Sequence, residues 1–299
     1  MATAPASPAV SRPPGRVRGF AIRRPVLAFC LFAVGLSVSL IAALLIAEVS
    51  VIPGKAAQLV IVPGTAVLIT AWISGRAGVR WLFAGLLRWR IGITRWLLVL
   101  LALPLLTVAV AAVTGTLQHP PTGWINITTA YLLTLVLVLI TANLWEEMAW
   151  TGFVQTRLTA RHGLLRGALL TAIPVFVIHL PLSYETNGLY GTRWEDAALN
   201  WGLLLVALPA FRYLAGVLML DTQGSVLAVG VLHASFNASG GMDIIPGGWQ
   251  YVPAVVLLAL GVATHRAIQG RRHSQPVTAT PAAEAGAAAP DQSASQNQS

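Results

Sequence analysis

Apolar runs of membrane-spanning length recur along almost the whole chain, at residues 25–49, 57–75, 96–116, 128–154, 164–182, 200–220, 224–238 and 250–267. About 20 apolar residues in helical conformation cross the hydrocarbon core of a bilayer. A lipid-exposed backbone must satisfy its own hydrogen bonds, which a helix does within one segment. The spacing therefore predicts an all-α, polytopic transmembrane helix bundle of about eight spans. Composition agrees, with 56% hydrophobic residues, 10% charged residues and a mean hydropathy of +0.72. That balance excludes a large soluble core and fits a multi-pass integral membrane protein whose surroundings are the lipid bilayer.

Residues 1–24 are rich in proline and arginine and read as a flexible basic cytoplasmic tail. A secretory signal is the competing reading. The run from Pro25 to Val49 lacks a small-residue cleavage site, so an uncleaved first span is expected. Residues 25–270 form the expected membrane domain, and residues 271–299, a Ser-, Ala- and Gln-rich stretch, are expected to be a disordered cytoplasmic tail. The lone Cys30 excludes an intrachain disulfide and a cysteine-based zinc site.

Of 19 basic residues only Lys55 is a lysine. The arginine bias reads as the mark of a GC-rich bacterial coding sequence and gives no reason to expect a nucleic-acid partner. A bacterial cell membrane is the expected location. Placing the N-terminus inside puts 17 of the basic residues on inner segments or in the inner half of a span, Arg212 among the latter. Only Lys55 and Arg193 fall outside. Inner loops carry the excess of Lys and Arg, so both termini are expected to be cytoplasmic.

Few ionisable groups lie within the spans. Glu146 and Glu147 are adjacent inside the fourth run, His179 lies in the fifth, Arg212 in the sixth, and His233 and Asn237 in the seventh. A charged group at the bilayer centre costs roughly 2.5–3.5 kcal/mol on insertion scales, so such residues mark function by default. His233 and Asn237, four apart, stack on one helix face. Two acids, two imidazoles and an amide from three helices are the inventory needed to activate water and stabilise an oxyanion. Depth fits less well. Glu146 stands about eight residues, roughly 12 Å, from the inner end of its run, whereas His179 stands about 15 residues into its own.

These residues fall in three motifs: Glu146-Glu147-Met148-Ala149-Trp150-Thr151, Val175-Phe176-Val177-Ile178-His179, and His233-Ala234-Ser235-Phe236-Asn237. In order and placement they resemble the EExxxR, FxxxH and HxxxN motifs of the CAAX protease and bacteriocin-processing (CPBP, Abi) family of intramembrane endopeptidases. The resemblance covers about residues 130–240, about a third of the chain. It departs from the family at Thr151, which replaces the motif arginine, and at Val175, which replaces an aromatic residue. Arg212 is the candidate replacement for the missing cation.

The resemblance implies that Glu146 is general base to a water molecule, assisted by His179. His233 and Asn237 would polarise the scissile carbonyl, and Glu147 would support the site. It also implies a membrane-associated peptide or protein as substrate. No cofactor is expected on this reading. The alternatives are a zinc-dependent metalloprotease using the same side chains, and a non-proteolytic proton-coupled transporter or scaffold. No HExxH motif favours zinc, and no internal repeat favours transport. The topology is checked by reporter fusions. Alkaline phosphatase fused at either end should be inactive and green fluorescent protein should fluoresce; phosphatase activity at one end would overturn the even-span arrangement.

Overall fold

The computed structural model describes residues 15–120, 123–245 and 249–274. These residues form α1 (Arg16–Arg23), α2 (Pro25–Ile46), α3 (Ile52–Leu87), α4 (Ile93–Val113), α5 (Trp124–His162), α6 (Leu164–Tyr184), α7 (Trp194–Asp221), α8 (Val226–Gly240) and α9 (Tyr251–Ser274). No strand occurs among the described residues. The packed body ends at Val262, and the second unit, Ala263–Ser299, is described only as the helical stretch up to Ser274.

Seven of these helices are long and apolar enough to cross a membrane. The polytopic helical bundle expected from the sequence is present, and the protein is a multi-pass membrane protein. Its outer surface fits lipid: on α5, Leu133, Leu137 and Ile140 are 67%, 62% and 61% exposed. They fall on one stripe, while Ile127, Tyr131 and Leu135 are buried on the opposite side. A continuous apolar stripe of this kind is costly in water and is at home in hydrocarbon.

The expected seventh span is different. α8 has 15 residues, a length of about 22 Å at the helical rise, short of the roughly 30 Å core. It has no need to reach both surfaces on a lipid-facing path, because it is packed among α4, α5, α7 and the end of α3. Val226, Ala228–Leu232, Ala234–Phe236, Ala238 and Ser239 are all buried. The small residues that made this run look insecure let its neighbours approach. A Cβ on Gly230 would stand 3.3 Å from both Leu139 and Leu144. Ser225 caps the helix, its Oγ accepting from the Ala228 amide at 3.1 Å.

Other boundaries also move. Residues 16–23 of the expected tail are helical as α1, with Gly19 and Ala21 buried, whereas residues 1–14 and 275–299 of the two tails lie outside the described residues. The expected loop at 76–95 is mostly helix: α3 runs on to Leu87 through a break at Gly75, whose φ of 59° suits glycine. α5 continues to His162, and Gly163, at φ 77°, turns the chain directly into α6. Glu146 is therefore sixteen residues from the end of its helix, not eight. Glu147 and His179 lie equally far along the chain from Gly163. The depth mismatch came from ending the fourth run too early, because arginines and threonines in its last turns masked a continuing helix.

The α5–α6 hairpin depends on close contact at Gly167, where an added Cβ would lie 2.7 Å from the backbone N and Cα of Thr159. Gly167→Val should lower the thermal stability of the detergent-solubilised protein by about 1–3 kcal/mol. Gly202→Ala, at a position with open space around it, should leave it unchanged. Equal melting temperatures for the two variants would contradict this packing.

Candidate active site

The site is built on α5. Asn143, Glu147, Thr151 and Gln155 are all buried polar residues spaced four apart. In a regular α-helix each step of four overshoots a full turn by about 40°, so four such residues would wind around the axis. Here π-helical segments at Leu139–Asn143 and Met148–Gln155 flank the glutamates. Their wider turns absorb the drift and keep the polar residues turned toward α7 and α8. Thr156 Oγ1 bonds the Thr151 carbonyl and Trp145 Nε1 the Ile140 carbonyl, each five residues back, following this wider register. Segments of this type are frequent at functional sites.

Glu147 is completely buried and tied on every side. Arg212, itself 1% exposed at its side chain, reaches in from α7 as a two-pronged partner, with Nη2 2.5 Å from Oε1 and Nη1 3.0 Å from Oε2. Thr151 donates its hydroxyl to Glu147 Oε2, and Arg212 Nη1 lies 3.3 Å from that hydroxyl. His233 brings Nδ1 to 2.8 Å from Oε1, an ion-pair distance without good hydrogen-bond alignment. Gln155 holds the backbone that carries the arginine, its Nε2 donating to the Arg212 carbonyl at 2.6 Å. The guanidinium missing from position 151 is thus supplied by Arg212 from another helix, with threonine fitted between the two charges. Arg212 is buried inside the bundle, so it does not belong in the count of surface charges that set topology.

The other expected residues gather around one cavity of about 410 Å³, whose wall includes His179, Arg212, His233 and Asn237 together with Trp150, Val175, Phe211, Phe236 and Tyr251. His179 Nδ1 lies 2.7 Å from the Val175 carbonyl. That carbonyl can only accept, so Nδ1 carries a proton, and in the neutral ring Nε2 keeps its lone pair. Glu146 is not part of the cavity wall. It is half-buried beside it, within electrostatic range of His179. Its Oε2 is 3.5 Å from Asn143 Nδ2, and Asn143 Oδ1 in turn accepts from Asn237 Nδ2 at 3.2 Å. A larger cavity, about 550 Å³, lies between the 45–52 and 185–191 loops and holds none of these residues.

Asn143, Gln155 and a further buried amide, Gln58, were missed when the intramembrane polar residues were counted from sequence. Asn143 and Gln155 continue the Glu147–Thr151 spacing by four in both directions, a signal available in the sequence. A zinc site is not well served by the donor set. Both oxygens of Glu147 are engaged by Arg212, and among the described residues no three His, Cys, Asp or Glu side chains group as metal ligands would.

Residues 128–239 match the Rce1-like family of type II CAAX prenyl endopeptidases. The matched segment runs from within α5 into α8 and contains all three motifs. No curated protein matches the chain.

Breaking a buried ion pair strands the remaining charge and costs about 3–5 kcal/mol. Arg212→Met should destabilise the protein by that order in reversible unfolding from mixed micelles. Adding Glu147→Met should restore much of the loss, because no unpaired charge then remains. A single variant as stable as the parent would contradict the pairing.

Proposed function

We propose that the protein is an intramembrane endopeptidase of the CAAX-protease type, hydrolysing a peptide bond of a membrane-associated substrate with water activated by Glu146 and His179. The observation that carries this reading is the meeting of His179 from α6 with His233 and Asn237 from α8 in one cavity, beside Glu146, which has no ion-pair partner among the described residues. Among the two adjacent acids only Glu147 is ion-paired, which leaves Glu146 as the carboxylate available to accept a proton.

In the proposed reaction water sits between Glu146 and His179 Nε2, with the histidine lone pair orienting one of its hydrogens. Glu146 takes a proton as the water oxygen bonds to the scissile carbonyl carbon, and the carbonyl π electrons move onto oxygen. His233, whose Nδ1 faces Glu147, presents Nε2 to the cavity. With a hydrogen on Nε2 it would donate to the oxyanion. Asn237 adds its second amide hydrogen, the first being held by Asn143. When the tetrahedral adduct collapses, the C–N bond breaks and the proton held by Glu146 passes to the departing amine. Donors fixed before reaction in a water-poor pocket are worth far more than in bulk solvent.

The aromatic and aliphatic wall suits a substrate segment that enters from lipid. The bacterial setting and the peptide's identity belong to the same proposal, with natural substrates sought by comparing membrane peptides of cells carrying the wild-type and Glu146→Gln proteins. Glu146→Gln keeps the shape of the side chain and removes the base. The variant should fold normally and lose cleavage by at least about 100-fold, in the range a general base contributes. Wild-type cleavage by this variant would overturn the assignment. The zinc alternative predicts that a strong chelator abolishes cleavage and added Zn²⁺ restores it. The mechanism proposed here predicts activity that survives chelation.

A further inference from the structure

We infer that Asn143 is a positioning residue that makes the proposed base dictate which end of the Asn237 amide faces the substrate; the inference rests on the protease reading above. An asparagine can offer either a carbonyl oxygen or an NH₂ group, and the two ends have nearly the same shape. An oxyanion is stabilised only by the NH₂ end. Asn237 presented the other way would repel the developing charge.

The contacts around Asn143 remove that ambiguity. Ionised Glu146 only accepts hydrogen bonds, so the Asn143 end near its Oε2, at 3.5 Å, is the amide nitrogen. The Asn143 carbonyl must then point away, toward α8. It lies 3.2 Å from Asn237, whose facing group must donate and is therefore Nδ2. One hydrogen of that nitrogen is used and the other remains for the cavity, on whose wall Asn237 sits. The direction of every bond in the chain Glu146–Asn143–Asn237 follows from the negative charge at one end. Bonds aligned in one direction polarise one another, so the chain sets the Asn237 amide with its second hydrogen toward the cavity before the base takes a proton.

Asn143 is placed for this task by its helix. It is 2% exposed and closes the π-helical segment Leu139–Asn143, whose wider turn brings it toward α8. Its distance of three residues from Glu146 puts the two on adjoining helix faces.

The test uses full-length protein in detergent micelles and a quenched fluorogenic farnesylated peptide with a CAAX terminus. Cleavage rates are compared for wild type, Glu146→Gln, Asn143→Leu, Asn143→Asp, Asn237→Ala and the double variant Asn143→Leu/Asn237→Ala. Asn143→Leu should lower kcat about tenfold or more with KM within about twofold, the pattern of an interaction made in the transition state. The double variant should be no slower than Asn237→Ala alone, because Asn143 acts through Asn237. If Asn143→Leu fails to fold, Asn143→Asp serves. Its carboxylate can only accept, so it holds Asn237 by Nδ2 without help from Glu146, and its kcat should stay well above that of Asn237→Ala. A kcat in Asn143→Asp as low as in Asn237→Ala, wild-type kcat in folded Asn143→Leu, or losses that multiply in the double variant, would overturn the inference while leaving the protease reading intact. No cleavage by wild type, or full cleavage by Glu146→Gln, would instead count against the protease reading itself.

Discussion

The ion pair between Glu147 and Arg212 is the constraint around which the centre of this protein is arranged. A carboxylate and a guanidinium are both removed from solvent, 2.5 Å apart, in a bundle that faces lipid. Neither charge is tolerable there alone, and together they bring α5 and α7 to a fixed separation and rotation. Gln155 and Thr151 complete the clamp from α5, and His233 joins it from α8. Apolar packing between transmembrane helices is tolerant of rotation, since lipid is as apolar as the neighbouring helix.

This arrangement separates two acids that sequence places side by side. Successive residues on a helix point about 100° apart, so Glu147 turns into the clamp while Glu146, half-buried, faces Asn143. Glu147 is held by Arg212 at both carboxylate oxygens. Glu146 has no ion-pair partner among the described residues. In the proposed mechanism the pair therefore contributes rigidity and a partner for His233, while the chemistry passes through Glu146, His179 and Asn237.

Much of this was legible in the sequence. Apolar runs gave the helical membrane class, and scarcity of charge inside those runs singled out Glu146, Glu147, His179, Arg212, His233 and Asn237. Arg212 as the replacement for the cation absent at Thr151 followed from its being an arginine in a span, and the structure pairs it with Glu147. Other features were hidden for physical reasons. Hydropathy reports apolar length but not what surrounds a helix, so α8 looked like a lipid-crossing span when it is enclosed by protein. The Arg- and Thr-bearing last turns of α5 resembled a loop, although helix persists to Gly163. The spacing by four of Asn143 and Gln155 is visible, but at regular helical pitch it winds off the Glu147 face, and the π-helical segments that cancel this drift leave no mark on an apolar pattern.

The central claim is that Glu146 and His179 activate the attacking water opposite an oxyanion site made by His233 and Asn237. An experimental structure with a bound peptide whose scissile carbonyl is replaced by a hydrated ketone tests it most directly. One hydroxyl of the hydrate should lie within hydrogen-bond distance of Glu146 and His179 Nε2, and the other within reach of His233 Nε2 and Asn237 Nδ2, with Glu147 still held by Arg212. A hydrate seated away from Glu146, or coordinated to a metal ion, would contradict the account.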